Sequence, residues 1–394
     1  MTEDWRNALD NNQAVGIVAI DLSKAFDCMS HGLLITKLSA YGFSMDACKM
    51  IKSYLVARLQ RVKIGDTFSE WVTNVKGVPQ GSILGPLLFN IFINDLLFIN
   101  LSSKIYNYAD DNTLSYVSSD LNEVKIKLEQ DCLNVMEWFQ ANHMKANSEK
   151  FQVMFLNKND ITSNHTLVIN NECTRSLSSI NVLGIGIDKN LNFSIHLDDV
   201  CNQTSKQINA LKRIKHYLDK KCKNTIYNSY ISSNFNYCPL VWMFTGKLNL
   251  DKLENVNKRA LRFIENQNDM PYEELCKEAK KFTVNRRCIK SAAIQMYKIK
   301  NKMAPLYLQE IFSVREDIYN LRANDTFSIP QFNSIKYGKK SLRYYGAKLW
   351  AHIPSNIRSK VSLSSFKSAV TDWLHNQNDI MNINFLPTTI SHKM

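Results

Sequence analysis

The chain has 394 residues, 45% of them hydrophobic and 22% charged, with 12 glycines and 8 prolines. That length allows two or three domains with buried cores, and the composition excludes mini-protein, collagen-like and disordered classes. Lysine and arginine number 49 against 36 acidic residues, a formal net charge of +13, which points to polyanionic partners and says nothing about fold.

Residues 14–20 form a short β-branched apolar run ending at Asp21, which predicts a buried strand delivering a carboxylate at its C-terminal tip. Residues 33–59 carry helical spacing broken near Tyr41-Gly42, and residues 62–75 predict a hairpin turning at Gly65-Asp66. A loop at residues 77–81 leads to Ser82 as N-cap of a helix running to about Phe98, apolar on nearly every side and therefore expected to be buried. Residues 105–108 and 113–117 read as strands around Ala109-Asp110-Asp111-Asn112, a tight hairpin with two acids at its tip. From Leu121 to Phe139, apolar residues at 121, 124, 128, 132, 135 and 139 mark one helical stripe, with Glu123, Lys127, Glu129 and Asp131 away from it. Strands are expected at residues 150–156, 166–170 and 182–187. The order to this point predicts an α+β fold, an antiparallel sheet packed on helices.

After about residue 195 the texture becomes helical and basic, with aromatics such as Tyr217, Tyr227, Tyr230, Tyr237, Trp242 and Phe263 interleaved among the lysines and arginines. That mixture suits a groove that tracks a nucleic-acid backbone and offers stacking faces, or equally a helical core with a solvated basic face. The charge is split accordingly. Residues 1–150 hold 14 basic and 17 acidic side chains, and residues 151–394 hold 35 and 19. No internal repeat or low-complexity tract is found.

The nine cysteines include no Cys-x-x-Cys pair, which argues against a zinc knuckle and fits reduced thiols in an intracellular protein, nuclear or cytoplasmic, that is not secreted. Met1 to Asp10 lacks the apolar run of a signal peptide, and Asn90, Asn94 and Asp95 interrupt residues 83–99, so no membrane span is expected. The eight histidines have no metal-site or triad spacing.

Asp21, Asp110 and Asp111 are the candidate chemical centre. One acid ends a strand and two follow on a hairpin tip 89 and 90 positions later, which in one sheet sets three carboxylates side by side. Like charges so close must take up protons or bind a cation, and hard oxygen ligands suit Mg²⁺, with Mn²⁺ as the alternative. Two such ions about 4 Å apart serve in-line nucleotidyl transfer.

Three segments then carry a resemblance. Ala19-Ile20-Asp21-Leu22-Ser23-Lys24-Ala25-Phe26-Asp27, Gly77-Val78-Pro79-Gln80-Gly81-Ser82-Ile83-Leu84-Gly85-Pro86 and Tyr108-Ala109-Asp110-Asp111 resemble motifs A, B and C of reverse transcriptases. Asn147-Ser148-Glu149-Lys150 resembles motif D, and Leu183-Gly184 with Asp188 resembles the primer-grip hairpin. Downstream, Met270-Pro271-Tyr272-Glu273-Glu274-Leu275, Arg286-Arg287, Tyr297-Lys298, Ala304-Pro305-Leu306-Tyr307-Leu308 and Leu349-Trp350 with Ile353-Pro354 resemble segments of jockey-like retrotransposons that lack long terminal repeats.

The resemblance implies an RNA-directed DNA polymerase that uses an RNA template, a DNA primer and deoxynucleoside triphosphates. It implies a palm at residues 1–160, a primer-grip hairpin region at 161–195, a helical thumb-like region at 196–270 and a basic helical C-terminal region at 271–394. Asp21, Asp110 and Asp111 are the implied metal ligands, and Lys150 the acid for the leaving pyrophosphate. Phe26 is implied as the ring that excludes a ribose 2′-hydroxyl. Gln80, Gly81, Tyr108 and Ala109 are implied as contacts to nucleotide or primer, and Leu183 and Gly184 as the primer grip. Asp27 is expected to cap or pair structurally. Only 20 residues precede Asp21, which leads to the expectation that the fingers and an endonuclease are lacking. Two rival readings are a catalytically inactive nucleic-acid-binding relic of such an element and a palm-type nucleotidyl cyclase.

Overall fold

The computed structural model describes residues 1–146, 150–157, 165–313 and 327–376. Two compact units divide the chain: Asn12–Ile185, and a second made of Met1–Asn11 with Gly186–Met394.

In the Asn12–Ile185 unit the centre is β1 (Ala14–Ile20), nearly all of it buried, because both of its faces are covered and its apolar run has no alternation to spare. Next come the short helices α1 (Ala25–Cys28), α2 (His31–Ala40) and α3 (Met45–Leu55). Ser30 and Ser44 cap α2 and α3 by accepting from the backbone N–H groups of Leu33 and Ala47. Two small antiparallel pairs follow, β2 (Arg58–Gln60) with β5 (Val72–Asn74) and, inside them, β3 (Lys63–Ile64) with β4 (Thr67–Phe68), which turn at Gly65-Asp66 as predicted.

Helix α4 (Leu84–Ile93) continues into a 3₁₀ turn, Asn94–Phe98. The Gly85 N–H donates to Ser82 Oγ at 3.0 Å, and Lys37 Nζ donates to the Phe92 carbonyl at 2.7 Å and to Asp95 at 2.8 Å, so each end finds a side-chain partner for one backbone group. The expectation of all-round burial fails. Leu88, Phe89, Phe92, Ile93 and Leu96 are buried, but Ile83, Leu84, Leu87, Leu97 and Phe98 are exposed, because the helix has a packed neighbour on one side only.

β6 (Lys104–Tyr108) and β7 (Asp111–Ser118) form the next hairpin. Helix α5 (Leu121–Ala141) buries Val124, Leu128, Cys132, Val135 and Phe139, the predicted stripe. It also buries Asp131, contrary to expectation, because that carboxylate accepts from the backbone N–H groups of Ser102 (3.1 Å) and Ser103 (2.6 Å) at the entry to β6. Then come β8 (Gln152–Leu156), β9 (Thr166–Ile169) paired with β10 (Glu172–Arg175), and β11 (Ser179–Val182). The main sheet is wholly antiparallel in the order β6-β7-β1-β8. Helix α5 lies directly on it at Gly16, where any side chain would collide with Leu128 and Val124.

The single strand predicted over 182–187 is two strands. Leu183 (φ +50°) and Gly184 (φ +75°) both take left-handed conformations, the requirement of a two-residue hairpin turn, and β12 (Ile185–Asp188) follows.

The second unit is helical. Its longest helices are Ser194–Arg213, Lys247–Glu265, Val284–Lys300 and Leu363–Asn376. The buried Arg6 donates to the Leu191 carbonyl at 3.0 Å and lies over the Phe244 ring, while Glu3 accepts from the first N–H groups of helix Leu342–His352. Several of the downstream segments singled out in the sequence are structural joints here. Tyr272 donates to Glu254, Arg287 donates to the Tyr227 hydroxyl at 2.6 Å, and Tyr227 in turn donates to Asn257 at 2.7 Å. Tyr297 stacks on Phe366, which also packs on Trp350. The nine cysteines are free. Among the described residues no helix is long and apolar enough to cross a membrane.

Candidate active site at one end of the sheet

The β1–β7 register pairs Ala19 with Thr113 and ends at Ile20 with Asn112, so Asp21, the next residue, comes to the same end of the sheet as Asp111. On the other side of β7, Tyr108 pairs with Asp111, which leaves Ala109 and Asp110 as a two-residue turn with Ala109 at φ +52°. Asp111 thus begins a strand, with Asp110 on the turn beside it. Burial holds the Asp111 carboxyl above the ordinary aspartate range, and the charges of Asp110 and then Asp21 push the same way.

Lys150 Nζ stands 3.3 Å from Asp21 Oδ2, with 61% and 46% of the two side chains exposed. So open an ion pair contributes little to stability, and its interest is positional. Asn147-Ser148-Glu149 lies outside the described residues. Asp21, Asp111, Asn112, Lys150, Gln152 and Leu183 line one open cleft of ≈ 390 Å³. Gln152 Oε1 accepts from the Asn181 N–H at 2.8 Å, which ties β11, and with it the Leu183 turn, to β8 beside the carboxylates.

Other sequence-chosen residues are not part of the cleft wall. Asp110, Tyr108 and Ala109 sit on the hairpin, Tyr108 with its side chain largely exposed. Phe26 stacks on Phe89 of α4, ring centroids 4.3 Å apart. Gln80 donates to Asp27 Oδ1 at 3.0 Å, a link between the first two motifs, so Asp27 pairs as expected and its partner is a residue chosen for ligand contact. Gly81 takes φ +79° with open space around it, so its glycine answers a backbone conformation rather than a close approach. The close approach belongs to Gly77, where a Cβ would lie 2.8 Å from Asp27 Cα; its carbonyl meets His31 Nε2 at 2.7 Å. Gly184 completes the β11–β12 turn.

Sequence reasoning missed Gln152, Gly77 and the asparagines flanking the hairpin. Asn107 and Asn112 form a cross-strand pair directly beneath the turn, and their symmetric placement about Tyr108-Ala109-Asp110-Asp111 was the available signal.

A metal would find hard oxygen donors in Asp21 and Asp111, which line the same cleft. The donor chemistry therefore fits a divalent cation. Among the described residues, however, no three His, Cys, Asp or Glu side chains converge as a ready ligand set.

The comparison with known families bears on this antiparallel sheet with its paired acids at one end and a lysine beside them. The profile of the family described as reverse transcriptase (RNA-dependent DNA polymerase) matches residues 1–187. The chain is also similar to polymerases named for mobile elements. It is 28% identical to the probable RNA-directed DNA polymerase from transposon BS of Drosophila melanogaster, over 69% of this chain and 31% of the relative. It is 25% identical to the RNA-directed DNA polymerase from mobile element jockey of the same fly, over 65% of this chain and 29% of the relative. The probable polymerase from transposon X-element is 24% identical over 67% and 30%. The chain thus spans under a third of the length of these relatives. Apo telomerase from Candida tropicalis superposes with a TM-score of 0.38 at 10% identity, over 72% of this chain and 49% of that one, too low to bear on the fold.

Proposed function

We propose that this chain is the polymerase part of an RNA-directed DNA polymerase of a jockey-like mobile element. Its reaction is the transfer of a deoxynucleotide onto a primer 3′-hydroxyl, copied from an RNA template, with pyrophosphate leaving. The observation that carries the reading is that Asp21, one residue past the end of β1, and Asp111, at the start of β7, line one cleft, with Asp110 on the adjoining turn.

In this reading the α+β layer of residues 1–160 is the palm, 161–195 holds the primer grip, 196–270 the thumb and 271–394 a basic C-terminal region. Asp21, Asp110 and Asp111 would hold Mg²⁺ or Mn²⁺, which when bound supplies the Lewis acidity that activates the hydroxyl and screens the leaving phosphates. Lys150, 3.3 Å from Asp21, would give a proton to pyrophosphate, a role its nearness to that carboxylate supports. Phe26, backed by Phe89, presents a wall against a 2′-hydroxyl. Gln80, oriented by Asp27, faces the nucleotide near Gly81. Tyr108 and Ala109 meet the primer end, and Leu183 and Gly184 grip the primer strand.

The test is primer extension on an RNA template by the full chain with Mg²⁺. Asp111→Ala should lower incorporation about 10³-fold. Equal incorporation by parent and variant would remove the carboxylates from the mechanism. Steeply salt-dependent binding without incorporation would favour a nucleic-acid-binding relic, the reading that the basic excess after residue 150 supports.

A further inference from the structure

In a two-residue hairpin the ladder stops at the closing pair, here Tyr108 with Asp111, so the carbonyls of the two turn residues have no partner in the sheet. In this hairpin both are held by side chains. Asn107 Nδ2 donates to the Ala109 carbonyl at 3.0 Å and to Asn112 Oδ1 at 2.8 Å, and Asn112 Nδ2 donates to the Asp110 carbonyl at 3.1 Å. The two amides therefore grip both turn peptides and each other.

Asn112 is 1% exposed. A primary amide at such a depth is costly unless its hydrogen bonds are made, and an apolar residue would serve better if packing were the sole demand. The same residue pairs across the sheet with Ile20, next to Asp21, and lines the cleft with Asp21 and Asp111. The grip thus stands between the strand that leads into one carboxylate and the hairpin that carries the others. Ala109, without a glycine's freedom, holds φ +52°, a conformation that ordinary residues leave when nothing retains them.

We infer that Asn107 and Asn112 form an amide clasp that fixes the direction in which Asp110 and Asp111 leave the hairpin, which makes both asparagines positioning residues for the carboxylate site. The inference rests on the proposed reading of that site. The clasp holds the turn peptides in one orientation, so the carboxylates meet an incoming cation already aimed, without a loss of conformational freedom at binding.

The experiment compares the full chain with Asn112→Leu and Asn107→Leu, near-isosteric side chains that cannot hydrogen-bond. Hydrogen exchange across residues 107–112 needs no metal and should quicken about 10-fold in either variant, the loss of one or two ordinary hydrogen bonds, with exchange elsewhere unchanged. Mn²⁺ affinity, read by electron paramagnetic resonance, should weaken about 10-fold, while primer–template affinity stays within about twofold of the parent. The double variant should cost no more than the worse single one, because both amides serve one turn. Unchanged exchange overturns the clasp. Faster exchange with unaltered Mn²⁺ affinity makes it a structural brace and overturns the positioning role. If the parent itself takes up no Mn²⁺, the metal reading of the site falls, and exchange alone then decides the clasp. Asn107, less buried than Asn112, gives the variant that folds if Asn112→Leu does not.

Discussion

Gly16→Ala tests the packing that holds the site-bearing strand. A Cβ at Gly16 would lie 2.5 Å from Val124 Cγ1 and 3.2 Å from Phe155 Cε1, and would also collide with Leu128. Carbon atoms settle at about 3.5–4.0 Å, so α5 must lift by about 1 Å or two packed side chains must leave their rotamers. Val124 and Leu128 are both fully buried, so neither has solvent to move into. Overpacking of this kind costs about 1–3 kcal/mol, and the two collisions place this case in the upper half of that range. For a unit of this size the thermal midpoint should fall about 4–12 °C. Circular dichroism melting gives the midpoint, and Gly16→Ala combined with Val124→Ala supplies the control. Truncating Val124 removes one of the obstructing groups, so the pair should be less destabilised than the sum of the singles. A midpoint within 2 °C of the parent for Gly16→Ala, by the same relation about 0.5–1 kcal/mol or less, would refute the direct seating of α5 on β1.

Three further outcomes are expected. Tyr272→Phe removes the hydroxyl that donates to Glu254 and accepts from Asn257 at 2.7 Å, and should cost about 1–3 kcal/mol in urea unfolding with primer-extension chemistry otherwise intact. Asp131→Ala leaves the N–H groups of Ser102 and Ser103 without their acceptor and should cost about 2–4 kcal/mol, with quicker hydrogen exchange at the start of β6. His196 is held below the usual histidine range by burial, opposed by Asp199. With the folded value below the unfolded one, its contribution is whole above about pH 6.5 and is lost as pH falls through the folded value. His196→Gln should therefore lose less stability than the parent between about pH 7.5 and 5.5, and parallel pH profiles would show that His196 does not titrate on unfolding.

The legible features were those set by neighbours in sequence. The run 14–20 is β1 residue for residue, and the stripe from Val124 to Phe139 is the buried face of α5. Gly65-Asp66 turns its hairpin, and the strands around Tyr108-Ala109-Asp110-Asp111 form where expected. Errors came where a distant partner decided. Asp131 reads as a solvated charge until Ser102 and Ser103 arrive above it. The apolar helix after Ser82 looks buried all round until only one of its sides finds a neighbour.

The amino-acid order alone determined the periodicities, the turns and the motif residues, because side-chain period and turn chemistry act within a few positions of the chain. The strand order β6-β7-β1-β8, the meeting of Asp21 and Asp111 at one end of the sheet, the Leu183 turn beside β8 and the amides beneath Ala109 and Asp110 were decided by tertiary structure. Strand pairing and polar burial draw their free energy from partners far apart in sequence, and those partners acquire positions only when the sheet closes.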